Sequence, residues 1–188
     1  MKNSFFFFLL LFISVNANSQ DIDFFREDLK FTLMKDHFKV QGIYFFRNNK
    51  SNLVTTKMIY PFPDESLYGK IDSVTCNQLN DSISTIYKIK DDFMIFSISI
   101  PPMESRAYYI LYTQELIKNT AMYILSTTSN WGKPFEQANY ELEVINLKID
   151  SLSYTPDKVE VFNNSTIFQW KKIDFLPQKN FEVFYQED

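Results

Sequence analysis

Beyond residue 20, apolar and polar residues alternate with a period of two in short runs broken by polar, turn-prone clusters, and a stripe at helical spacing is hard to find. Segments 29–34 and 37–46 flank Lys35-Asp36, and Phe38, Val40, Tyr44 and Phe46 share one face, which predicts a hairpin. Segment 53–60 runs extended until Pro61 and Pro63 remove two backbone donors and end the ladder. Segments 71–79, 82–89 and 93–100 follow, separated by Asn80-Asp81 and Asp91-Asp92 and closed by Pro101-Pro102. The second half repeats the style at 107–114, 121–128, 140–144, 147–152, 158–162, 166–175 and 181–185. Between 129 and 139 the rhythm fails around Trp131-Gly132-Lys133-Pro134, with one helical turn expected there. Strands at this spacing predict an all-β protein, an antiparallel β-sandwich built as two packed sandwich subdomains over 20–102 and 103–188.

The first nineteen residues follow another rule. Lys2, an apolar run over 5–15, then Ala17 and Ser19 before Gln20 give the charge, length and small-residue spacing of a signal peptide over 1–19. The run is too short to cross a bilayer core of about 30 Å, no cysteine follows it for lipid attachment, and no later stretch could form a transmembrane span. The expected product begins at Gln20 and is periplasmic or extracellular. Scarce glycine and abundant Asn, Lys, Ile, Phe and Tyr point to a bacterial source with AT-rich codons.

Charge and composition narrow the function by exclusion. With 19 basic and 23 acidic residues the net charge is −4, and loss of Lys2 takes it to −5, so nucleic acid and anionic membrane are poor partners. One cysteine, Cys76, allows no internal disulfide, so stability rests on packing, for which twenty Phe and eleven Tyr supply bulk. An outer-membrane barrel would carry similar short aromatic strands, but the apolar faces are interrupted too often for a lipid-facing band.

No catalytic motif emerges. His37, the sole histidine, lies between Asp36 and Phe38 at a hairpin start, where it reads as an ordinary surface side chain rather than the base of a triad. Cys76 sits mid-strand, the usual place for an inert thiol. One His and one Cys do not build a zinc site, and Asp91-Asp92 turns a hairpin more readily than it holds calcium, so neither metal nor cofactor is expected. Paired carboxylates for a glycan hydrolase are neither supported nor refuted by 23 acids. The aromatics near the irregular segments are the best binding candidates. Tyr60, Phe62 and Tyr68 beside the Pro-Phe-Pro step, and Trp131 in the broken stretch, could stack on a sugar or receive a protein side chain. The competing reading makes Trp131 a plug against strand residues such as Tyr123 and Tyr140 and packs Phe62 between its prolines.

Two stretches carry a resemblance. Tyr44-Phe45-Phe46-Arg47-Asn48-Asn49, Met58-Ile59-Tyr60-Pro61-Phe62-Pro63 and Tyr68-Gly69-Lys70-Ile71-Asp72 resemble vault/inter-alpha-trypsin-inhibitor-type sandwich domains and exported bacterial proteins of unknown function. Tyr112 to Leu116, Tyr123 to Thr128, Trp131 to Pro134 and Ala138-Asn139-Tyr140 resemble the second half of such proteins. The resemblance implies paired sandwiches and no catalytic residue. The expected function is that of a non-catalytic envelope-associated module whose partner is an envelope or extracellular protein, with a glycan or small ligand as the alternative.

Overall fold

The structure, a computed structural model, describes residues 22–79 and 85–187; the signal-peptide segment and the Asn80-Asp81 turn lie outside them. The alternating runs become strands. β1 (Ile22–Leu33) and β2 (His37–Asn48) form the expected hairpin, and β3 (Val54–Pro61) stops at the Pro-Phe-Pro step. A single helical turn, α1 (Glu65–Tyr68), is capped by the Asp64 side chain, which accepts from the Ser66 N–H. Then come β4 (Ile71–Gln78), β5 (Tyr87–Lys90), β6 (Phe93–Ile100), β7 (Ser105–Glu115) and β8 (Thr120–Tyr123). The strand expected over 121–128 ends at Tyr123, and a 3-10 helix, Ser126–Trp131, takes its place and runs into the broken stretch, ending on Gly132 in the left-handed region, φ 71°. β9 (Phe135–Ile145), β10 (Leu147–Leu152), β11 (Lys158–Val161), β12 (Ser165–Phe175) and β13 (Phe181–Glu187) complete the chain.

The all-β sandwich expected from the alternation is present. Seven strands form one large sheet in the order β11-β12-β9-β1-β2-β7-β4, antiparallel except for the parallel β1–β9 pair. Two small sheets, β10-β13-β8 and β3-β6-β5, lie on one of its faces. Ring contacts fix this: Phe181 of β13 packs on Phe31, Tyr140 and Trp170, while Tyr60 of β3 and Phe96 of β6 pack on Tyr44, Tyr112 and Tyr108. The core therefore fills the space between one broad sheet and a split cover.

Residues 20–102 and 103–188 do not each close a sandwich of their own. β7 is hydrogen-bonded between β2 and β4, and β9 pairs with β1, so the halves interleave in the large sheet. The Pro101 corner is clamped by buried Asn48, whose Nδ2 donates to the carbonyls of Ile100 and Pro101 at 2.9 and 3.1 Å and whose Oδ1 accepts the Lys50 N–H at 2.8 Å. Among the described residues no helix is long and apolar enough to cross a membrane.

β1 begins seven residues before the alternating run that predicts it. A bulge between Phe24 and Arg26 is the reason: it turns both Phe24 and Leu29 inward although they are five positions apart. The same shift carries Glu27 into the core, where it is fully buried.

Candidate functional site

With one face covered, the other face of the large sheet is open, and the outward-pointing residues of its long strands meet there in rows set by the register. Lys30 lies opposite Gln41 on one side and Glu141 on the other, and Glu141 opposite Gln169. In the next row Asp28 lies between Ile43 and Asn139, and Ile43 faces Tyr109. These side chains surround a hollow of about 620 Å³, within the range of small-molecule sites.

The polar groups of the hollow hold one another in place. Lys30 Nζ is 3.0 Å from Glu141 Oε1, and Gln169 Nε2 donates to Glu141 Oε2 at 3.1 Å. Burial works to raise the Glu141 carboxyl, but these two hydrogen bonds outweigh it and hold the group below its ordinary value. Asp28 Oδ1 accepts from Asn139 Nδ2 at 2.6 Å, its Oδ2 accepts from Arg26 at 2.6 Å, and Gln41 Nε2 donates to the Tyr109 hydroxyl at 3.2 Å. Further along β1 and β2 the Arg26 guanidinium lies 4.7 Å over the Phe45 ring and that of Arg47 lies 4.7 Å over Phe25. Cations, carboxylates, amides and a phenol fixed on five strands can read a ligand rich in hydroxyl, amide or charged groups.

The aromatics singled out from sequence lie elsewhere. Tyr60 and Phe62 are buried, their rings 5.6 Å apart and both packed on Tyr112. Tyr68, at the end of α1, is half-buried. Trp131 is half-buried too, but its ring meets Phe24 and Phe46 at 5.7 and 5.9 Å rather than Tyr123 and Tyr140. Tyr60 and Trp131 do converge, on a narrow slot on the inner side of the large sheet. His37 Nδ1 donates to Asp36 at 2.9 Å, and Cys76 is a buried thiol pushed up to about 12 by its burial. The residues of the outer hollow escaped notice because each is an ordinary polar member of an alternating strand; only the strand order, which brings β9 beside β1, gathers them.

Comparison with known proteins adds the following. The model of a family described as a domain of unknown function (DUF4424) matches residues 104–184. No curated protein matches the sequence. In three dimensions the chain is similar to a "putative nutrient binding protein" of Legionella pneumophila, with a TM-score of 0.70 and 13% identity over 88% of this chain and 67% of that one. It is also similar to an M1 zinc metallopeptidase of Deinococcus radiodurans, with a TM-score of 0.54 and 9% identity, covering 87% of this chain and 42% of the enzyme. The chain thus spans less than half of the metallopeptidase, and at such identities the likeness concerns the fold alone. The resemblance of the first half to vault/inter-alpha-trypsin-inhibitor-type domains has no counterpart among these matches.

Proposed function

We propose that this chain is a non-catalytic ligand-binding β-sandwich module, working outside the cytoplasm, which takes a polar solute on the uncovered face of its seven-stranded sheet. The observation that carries the reading is the ordered polar lattice on that face: Lys30, Glu141 and Gln169 in one row, Asp28 and Asn139 in the next, around a hollow large enough for a small molecule. Likeness in fold to a protein described as nutrient binding supports it. The extracytoplasmic site of action rests on the signal-peptide pattern of residues 1–19.

The test is a thermal-shift screen of the purified protein against sugars, amino acids and small organic acids, followed by calorimetry on any hit. A true ligand raises Tm, and the paired change Lys30→Ala, on an exposed strand position, with Asn139→Ala, on a half-buried one, lowers its affinity at least about tenfold without changing the fold. A hit whose affinity ignores both substitutions would move the site away from this face, and a screen without hits would return the reading to a protein partner.

A further inference from the structure

The slot to which Tyr60 and Trp131 contribute lies where the cover splits. One wall is β3, the edge of one small sheet, with Met58, Ile59 and Pro61; the other is the 3-10 helix with Thr127, Thr128 and Trp131. Ile59 is half exposed and Trp131 half buried, so this end forms the mouth. The floor is the inner face of β1 and β2, and the free space within is about 70 Å³. That is room for roughly two waters or for an ammonium group with a carbon or two.

At the floor sits Glu27. Its Oε1 accepts a hydrogen bond from the Tyr140 hydroxyl at 2.5 Å, while Oε2 is buried with no partner. A buried polar atom left unsatisfied costs about 1–3 kcal/mol, so it calls for an occupant. The titratable groups that act on Glu27 from the surrounding elements are five tyrosines: Tyr140 on β9, Tyr44 on β2, Tyr60 on β3, Tyr123 on β8 and Tyr154 just after β10. The charge acting on it is a like one, from Asp28 on its own strand. Lys172, beyond Ala138 in the same row, is engaged by Asp157 at 2.8 Å. The rings of Phe24, Phe46, Phe96 and Trp131 line the slot as well, together with Ile110 and Ile124. A carboxyl without a countercharge, in a slot walled by aromatic rings, matches one class of guest, since rings attract a desolvated cation and the carboxylate completes its charge.

We infer that this inter-sheet slot is a second binding site, distinct from the outer face and independent of the function proposed for it, which takes the ammonium end of a small organic amine with Glu27 as its counter-ion. The ammonium donates to Oε2, the organic part leaves through the mouth between Ile59 and Trp131, and the proton that Glu27 carries in the empty slot goes to solvent as the amine enters.

Calorimetry of the purified protein with butylamine and phenethylamine, in buffers of different ionisation enthalpy, tests this. Binding should release close to one proton per amine at pH 7, and apparent affinity should rise roughly tenfold per pH unit between pH 6 and pH 7 before levelling near pH 8. Glu27→Gln, which keeps the bond from Tyr140, should weaken binding at least about tenfold, whereas Glu141→Gln on the outer face should leave it unchanged. Thr127→Arg places a fixed cation at the mouth on a half-buried position and should also abolish binding; it decides alone if Glu27→Gln does not fold. Failure of both amines to bind, binding without proton release, or wild-type affinity in a folded Glu27→Gln or Thr127→Arg variant would overturn the inference.

Discussion

At the scale of single residues, Glu27 dominates the chemistry. Its burial among apolar and phenolic groups, only partly offset by the hydrogen bond from Tyr140, raises its carboxyl from 4.5 to about 8. In the unfolded chain the same group ionises near its ordinary value, so between these two values the folded state holds the extra proton. Stability is therefore full below about pH 4.5 and falls as pH rises through 8, by on the order of 5 kcal/mol in all. Urea denaturation at pH 5.5, 7 and 9 should show this decline in the wild type, and Glu27→Gln should flatten it. A wild type equally stable at pH 5.5 and pH 9 would contradict the buried, protonated carboxyl. Cys76 makes a simpler case. Burial keeps its thiol protonated, so a thiol reagent at pH 8 should modify it only after denaturant is added, and labelling at the rate of a free thiol in the native protein would place it at the surface.

At the scale of elements, the two tryptophans separate packing from access. Trp170 of β12 is almost fully buried, stacked edge-on to Phe181 at 5.1 Å with its Nε1 donating to the Tyr154 carbonyl at 3.2 Å. Trp131, on the 3-10 helix, covers the slot mouth from one side only. Trp170→Ala should cost about 3–5 kcal/mol, and Trp131→Ala about 1–2, because a half-buried ring loses less area and leaves no closed cavity. Equal losses in chemical denaturation would mean that Trp131 is a core plug. The strands themselves were legible wherever alternation was clean, as in β2, β6, β7 and β9. The start of β1 was not, because a period-two reading cannot place Phe24 and Leu29 on one face, and the bulge that does so is also what puts Glu27 inside. Gly42 shows the same limit. It reads as a weak point in a strand, yet a methyl there would strike the Tyr44 ring, which lies over it and brings its hydroxyl to those of Tyr60 and Tyr123 at 2.8 and 3.0 Å. Both candidate sites depend on such non-local placements, so sequence alone named Tyr60 and Trp131 without the acid they surround.

At the scale of the whole molecule, the strand order decides whether the two halves of the chain can stand apart. The sheet β10-β13-β8, which covers Phe31 and Tyr140, comes wholly from residues beyond 103, whereas β1, whose inner face it covers, comes from the first half. β4 has a single neighbour, β7, from the other half. A fragment of residues 20–102 would keep the β1–β2 hairpin and the β3-β6-β5 sheet but expose Phe31, Leu33, Phe38 and Val40, all now fully buried, and would leave β4 unpaired. A fragment of 103–188 would keep β9, β12 and β11 with their small sheet, but Tyr140, Leu142 and Val144 would lose the strand beside them. Each fragment gives up a face of core that its remaining contacts cannot replace, given that a whole domain is stable by only about 5–15 kcal/mol. Expressed separately, both should lack cooperative unfolding by circular dichroism, and mixing them should restore a dispersed amide spectrum as the central β9-β1-β2-β7 strands reassemble. Cooperative unfolding of 20–102 on its own would show that the halves fold independently and that the shared sheet forms by docking.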